Sequence, residues 1–290
     1  MGVTNDTPAI ADDVFVTQDG LRLPLRHWDA ANAQAVVVAL HGMSDYSQAF
    51  DLPGPWWAAH GISVYAYDQR GFGAAPNTGL WPGIAAMCGD LDDFVDAVRA
   101  KFPGVPVYAL GESMGGAVVL TALASDRPPR VNGVILVAPA VWSRADMPLS
   151  YRTALWLAAR IVPRLHVSGE GLHIWATDNI AVLRKLARDP LYQHSARVDQ
   201  VYGLVDLMDR ARQAPRRSGL HPPILLVYGG NDQVIPAAPT KAVAQALGAG
   251  TTVIRYASGY HMLLRDLEGE TRWRDVLSWI EKTNDRSATR

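Results

Sequence analysis

Six short apolar runs alternate with stretches of helical periodicity, and few architectures accommodate that order. The runs are Ala35–Leu40, Ile62–Tyr67, Val105–Leu110, Val131–Val137, Ile224–Tyr228 and Thr252–Tyr256. They are mostly continuous and rich in β-branched residues, the pattern of strands buried on both faces. Between them lie Leu52–His60, Ile84–Lys101, Met114–Ala124, Thr240–Leu247 and Thr271–Lys282, which carry helical spacing. Strand–helix alternation predicts a mostly parallel sheet flanked by helices. Upstream, Val14–Thr17 and Leu21–Trp28 flank Asp19-Gly20, a hairpin signal. The polar ends, up to about Ile10 and from about Lys282, are expected to fray.

The alternation breaks once. Roughly 85 residues separate the run ending at Val137 from the run opening at Ile224, too long for a structureless loop. The stretch carries helical periodicity at Tyr151–Val162 and Asp178–Ala187, and breakers at Pro148, Pro163, Gly169-Glu170-Gly171, Pro190 and Pro215. We read it as a helical cap, residues 141–220, inserted into a core formed by residues 11–140 and 221–283.

Composition excludes several function classes. The 290 residues are 49% hydrophobic and 19% charged, an ordinary globular balance. The formal net charge is −1, so nucleic acid is not an expected partner. The single cysteine, Cys88, excludes an internal disulfide framework and a Cys-based zinc site, and reads as a packed thiol. No His/Asp/Glu cluster has metal-ligand spacing, and no Gly-x-Gly-x-x-Gly opens the first strand–helix unit; no metal and no cofactor are expected. Met1–Asp13 has neither the basic nor the apolar region of a signal peptide, and the expected compartment is the cytoplasm.

One junction carries chemistry. Gly111-Glu112-Ser113-Met114-Gly115 fits Gly-x-Ser-x-Gly, and a buried-type strand leads into it while an Ala/Val/Leu helix leaves it. That strand–turn–helix setting is what a nucleophile elbow requires. A serine hydroxyl needs a base. Among the eight histidines, His261 is the candidate, in a loop just past the strand Thr252–Tyr256. Asp232, past the strand Ile224–Tyr228, is the candidate orienting acid, with Asp146 as its rival. An oxyanion would be met by the backbone N–H of Met114, following the serine, and of Met43, in the loop after Ala35–Leu40. His41 reads as a structural hydrogen-bonding residue rather than a base.

The motifs together resemble those of the α/β-hydrolase superfamily. They are Ala39-Leu40-His41-Gly42, Asp68-Gln69-Arg70-Gly71-Phe72-Gly73, Gly111–Gly116, Asn231-Asp232-Gln233-Val234-Ile235-Pro236 and Gly259-Tyr260-His261. The extra Gly116, the Asp-x-Arg-Gly-x-Gly turn and Asp189-Pro190-Leu191 are similar to the monoacylglycerol lipase and lysophospholipase branch. The resemblance implies an α/β-hydrolase fold with Ser113, Asp232 and His261 as triad and Met43 and Met114 as oxyanion hole. It implies a cofactor-free hydrolase of lipid-type carboxylic esters. The alternatives are a serine aminopeptidase or amidase of the same fold, and a non-catalytic receptor on that scaffold.

Charge is segregated along the chain. Val141–Leu220 holds eleven Arg and one Lys against six Asp and one Glu, a net +5, which leaves −6 elsewhere. In Tyr151–Val162, residues Ala154, Leu155, Ala158, Ile161 and Val162 form an apolar face, with Arg152, Trp156 and Arg160 on the other side. The expected partner is a small lipid or ester substrate; the basic cap either docks transiently on an anionic membrane surface, or Trp156 packs on the core domain and the arginines pair with local acids. Leu155, Ile161, Leu183 and Leu186 could each line an apolar pocket or equally belong to the core of the cap.

Overall fold

The computed structural model describes residues 7–169, 171, 174–216 and 222–288. Its strands are β1 (Ala9–Ala11), β2 (Val14–Val16), β3 (Arg22–Trp28), β4 (Ala35–Leu40), β5 (Ile62–Tyr67), β6 (Val107–Glu112), β7 (Gly133–Val137), β8 (His166–Val167), β9 (Ala196–Arg197), β10 (Ile224–Gly229) and β11 (Thr251–Tyr256). Its helices are α1 (Pro53–Ala59), α2 (Ile84–Lys101), α3 (Met114–Leu123), α4 (Leu149–Ile161), α5 (Ile180–Leu186), α6 (Val198–Gln213), α7 (Ala237–Leu247) and α8 (Gly269–Ala288).

Among the described residues, nine strands form one sheet in the order β1-β2-β3-β5-β4-β6-β7-β10-β11. The pairs from β5 to β11 are parallel, while β1, β2 and β3 run antiparallel at one edge. Successive side chains of a strand point to opposite faces, and β4 shows the consequence. Val36, Val38 and Leu40 pack with Leu91, Phe94 and Val95 of α2 and Val118 of α3. Ala35, Val37 and Ala39 pack on the other face with Trp57 of α1 and Val276 and Ile280 of α8. Each such fully buried large apolar side chain contributes roughly 1.5–3 kcal/mol. The fold is the α/β-hydrolase arrangement, with an inserted helical subdomain between β7 and β10.

The insert and the termini depart from expectation at three places. Helix α6 has no counterpart in the sequence reading, yet it buries Val198, Val205, Leu207, Met208 and Ala211 and packs on α3 and α4. Asp199 in its first turn and Arg210 and Arg212 in its last complement the helix dipole. The insert also holds a short antiparallel pair, β8 with β9, tied by His166 and Arg197 and by Val167 and Ala196. Finally, β1 pairs with β2, and α8 runs to Ala288. Within the described residues the ordered structure extends into both polar stretches: Ala9–Ala11 pairs in the sheet and α8 docks against α1 and β7.

The parallel topology brings the carboxyl ends of β4, β6, β10 and β11 to one edge of the sheet. That edge is where ligands bind in open α/β sheets.

Candidate active site

A single residue joins β6 to α3. Ser113 has φ 52° and ψ −113°, a left-handed conformation that a side-chain-bearing residue keeps only when its surroundings enforce it. Here the Ser113 N–H donates to Val137 O at 2.9 Å, and Ser113 O accepts the Ala140 N–H at 2.9 Å. A side chain at Gly115 would collide with the carbonyl oxygen of Leu40, and one at Gly111 with the backbone of Gly115. The glycines let α3 close on β4 and β6, so the serine hydroxyl stands at the helix N-terminus.

The three candidate side chains, 148 and 29 residues apart along the chain, meet here. Ser113 Oγ lies 2.9 Å from His261 Nε2, and His261 Nδ1 lies 2.9 Å from Asp232 Oδ2. The His261 and Asp232 side chains are 8% and 6% exposed, so the pair is little screened by water. Asp232 Oδ1 accepts the N–H groups of Val234 (2.8 Å) and Ile235 (2.9 Å), which turns Oδ2 toward the imidazole. An Nδ1–H donated to the carboxylate leaves Nε2 free to accept from the serine. Asp146 lies apart from this group: it accepts from Ser143 Oγ at 2.9 Å and pairs with Arg212 at 3.4 Å.

The loop after β4 reaches the same point. A Cβ on Gly42 would lie 3.3 Å from Ser113 Cβ and 3.8 Å from Ser113 Oγ, so this loop runs alongside the hydroxyl. Among the described residues the N–H groups of Met43 and Met114 have no acceptor. His41 is fully buried. Its Nδ1–H donates to Gly42 O at 2.8 Å and its Nε2 accepts the Gln69 N–H at 2.9 Å. Burial holds its imidazole below the ordinary histidine range. With both ring nitrogens engaged, it braces the loop.

Above Ser113 opens a cavity of about 610 Å³, between the loops of the core and the insert. Trp142, Leu155, Val205, Met208 and Ile235 supply much of its apolar wall, and Tyr192, Gln193, His194 and Ser195 form a polar strip. Among the described residues its lining holds no carboxylate and no Lys or Arg. No His/Cys/Asp/Glu group able to hold a metal occurs among the described residues.

The family model for serine aminopeptidase, S33, matches residues 31–268. The chain belongs to the serine aminopeptidase S33 family. It lies within the α/β-hydrolase superfamily. It is 29% identical over 214 residues to phospholipase YtpA of Bacillus subtilis, covering 72% of this chain and 80% of that one. To the monoglyceride lipase of Rattus norvegicus it is 26% identical over 279 residues, covering 92% and 89%. The crystal structure of Paleococcus ferrophilus monoacylglycerol lipase shares the fold with a TM-score of 0.76, at 22% identity over 90% of this chain and 99% of that one.

In this S33 chain the Asp68–Gly73 motif shapes a loop. Asp68 accepts the N–H groups of Ser47 and Ala74 at 2.9 Å each, and Arg70 pairs with Asp90 at 2.6 Å and Asp19 at 2.7 Å. The Asp189-Pro190-Leu191 segment fastens the insert to the core. Tyr46 Oη donates to Asp189 Oδ2 at 2.7 Å, and the Gln193 N–H donates to Ser44 O at 2.8 Å. Cys88 is a packed thiol, pushed up to about 12 by burial.

The expected pocket lining needs correction. Leu155 faces the cavity, but Ile161 is exposed and Leu186 is buried away from it, and Leu183 is not part of the wall. The wall comes instead from α6 and from Tyr192–Ser195. Which face of an insert helix looks inward depends on its neighbours, and periodicity cannot supply that.

Proposed function

We propose that this chain is a serine hydrolase of carboxylic esters, acting on monoacylglycerol- or lysophospholipid-type lipids. The observation that carries the reading is the hydrogen-bonded Ser113–His261–Asp232 relay on the floor of a largely apolar cavity. Ser113 Oγ attacks the ester carbonyl carbon while His261 Nε2 takes its proton, and Asp232 steadies the imidazolium. The carbonyl oxygen becomes an oxyanion facing the Met43 and Met114 amides. Collapse breaks the bond to the alcohol, which leaves with the proton from His261. Water then loses a proton to His261 and attacks the acyl-serine; collapse frees the acid and expels Ser113 Oγ, which takes the proton back from His261. Residues 141–220 act as the cap over this site. Supporting the substrate class, the chain resembles lipases and a phospholipase along most of its length.

An aminopeptidase must neutralise the substrate's α-ammonium group, because an unpaired buried charge is costly. The lack of a carboxylate in the described lining therefore favours esters over peptides. A panel of esters graded by acyl length, with glycerol and phospho head groups and aminoacyl amides alongside, tests this. Each buried methylene contributes up to about 0.8 kcal/mol. The specificity constant kcat/KM is expected to rise up to about four-fold per methylene from acetyl to medium chains. A panel in which acetyl esters or aminoacyl amides win overturns the lipid assignment.

The cap surface supports delivery from a membrane. Helix α4 buries none of its residues. Trp156, Leu157 and Ile161 are 49%, 50% and 67% exposed, and Ile174 and Trp175 add to the exposed apolar residues of the cap. Trp156 does not pack on the core: the Arg160 guanidinium lies over its ring at 3.9 Å. Among the described residues neither Arg152 nor Arg160 pairs with a carboxylate. Tyr151 of α4 is exposed and also lines the cavity, so this helix borders the site. An indole beside guanidinium groups suits the headgroup layer of an anionic bilayer, where each basic residue adds about 1 kcal/mol. No helix among the described residues is long and apolar enough to cross a membrane, so the contact is peripheral. Co-sedimentation is expected with anionic vesicles at low salt, weaker at high salt and with neutral vesicles. It is expected to fall about five-fold in Arg160→Ala and further in Trp156→Ala. Equal binding to both vesicle types, or unchanged binding in the variants, overturns it.

A further inference from the structure

Behind the relay lies a buried ionic bridge that the proposed chemistry does not use. Arg265, 5% exposed, donates from Nη1 to Asp45 Oδ2 at 2.6 Å and from Nη2 to Glu112 Oε2 at 3.1 Å. Asp45 and Glu112 are each 2% exposed. Each of the three belongs to a different segment of the site: Asp45 to the loop after β4, Glu112 to the end of β6, and Arg265 to the turn after His261. Asp45 closes the turn that carries Met43, with its N–H on Gly42 O at 3.3 Å. Glu112 is the peptide neighbour of Ser113. Arg265 follows His261 by four residues and holds that loop's turn through its N–H on Met262 O at 2.8 Å.

A bridge of this kind is a poor source of stability. Removing three charges from water is costly, and hydrophobic replacements of buried ion triads are often neutral or stabilising. This one is also incompletely satisfied: among the described residues, Glu112 Oε1 and Arg265 Nε have no partner. Burial raises the Glu112 carboxyl above its ordinary range, against the pull of Arg265. Asp266, His261 and Asp45 also act on Glu112, while the Tyr192 phenol, pushed up to about 12 by burial, faces the bridge from the cap. What the bridge does supply is a fixed spacing among the oxyanion turn, the elbow and the base loop.

We propose that Arg265 is a positioning residue, whose forked guanidinium holds the Met43 turn and the Ser113 elbow in register with His261. The inference rests on the ester-hydrolase reading above. Without the guanidinium, Asp45 and Glu112 repel in a water-poor space and the Met43 amide swings off the oxyanion. An oxyanion donor acts in the transition state rather than on bound substrate, so kcat falls while KM stays. Misplacement by about 1 Å costs about a hundred-fold. Lysine keeps the charge but loses the fork, so it restores part of the rate.

The test measures kcat and KM per active site, counted by titration with a fluorophosphonate, in wild type, Arg265→Gln and Arg265→Lys. For Arg265→Gln, per-site kcat is expected to drop about a hundred-fold with KM within three-fold, and Arg265→Lys to recover at least ten-fold of that. A purely structural role lowers the number of titratable sites and leaves per-site kcat unchanged. Should Arg265→Gln fail to fold, the Glu112→Gln/Arg265→Gln double variant removes opposite charges together and is read identically. Per-site kcat within two-fold of wild type, or a lysine variant no better than glutamine, overturns the proposal. Failure of the underlying reading looks different: the wild type itself does not label at Ser113.

Discussion

Ester turnover is expected to vanish in Ser113→Ala, with kcat lower by on the order of 10⁶, while the protein stays folded. What the Ser113 hydroxyl touches decides this. Its hydrogen bond in the structure is to His261 Nε2, at 2.9 Å, and the bonds that hold the elbow run through the Ser113 backbone. Alanine at φ 52° meets the same backbone restriction as serine, so the strain of the turn is nearly unchanged. The change in stability should therefore stay within about 0.5 kcal/mol, the range of substitutions that break no named interaction. Only the oxyanion donors and the binding surface then remain, and such a remnant retains roughly 10³–10⁴ over the uncatalysed rate. Thermal melting and steady-state kinetics on the same sample check both halves. A variant that keeps a tenth of wild-type activity removes Ser113 from the nucleophile role.

Ser113 was legible because everything that shapes its turn lies within a few consecutive residues. Val107–Glu112 brings the chain in, the glycines admit the close approach, and Met114–Leu123 carries it away. Asp232 and His261 were legible for a different reason. Each follows a buried-type strand, and right-handed crossovers bring parallel strand ends to one edge of the sheet. Helix α6 carries a regular apolar spacing at Val198, Val201, Val205 and Met208, but acids and arginines interleave with it and breakers crowd the insert. The strands β8 and β9 have two residues each, and only a partner about thirty positions away makes them strands. Arg265 and Glu112 lay furthest from sequence reasoning. Charged residues are rarely buried unless paired, and their pairing exists only once three segments distant in sequence are assembled.

Asp232→Asn is expected to lower kcat about 10⁴-fold with little change in KM, and the local geometry says why. The Oδ1 position accepts two backbone N–H groups, from Val234 at 2.8 Å and Ile235 at 2.9 Å. An asparagine must keep its carbonyl oxygen there, because an NH₂ group would face two donors. Its amide nitrogen then points at His261 Nδ1, where the carboxylate oxygen had accepted the Nδ1–H hydrogen bond at 2.9 Å. The imidazole can satisfy that donor only by carrying its proton on Nε2. In that tautomer Nε2 faces Ser113 Oγ as a donor and cannot take its proton. The fold is spared, since the substitution is isosteric and both backbone bonds persist. Asp146→Asn is the control: that carboxylate is engaged by Ser143 and Arg212, and its loss should leave kcat within two-fold. Kinetics on the two variants decide between the acids. Near-full activity in Asp232→Asn together with loss in Asp146→Asn reverses the assignment.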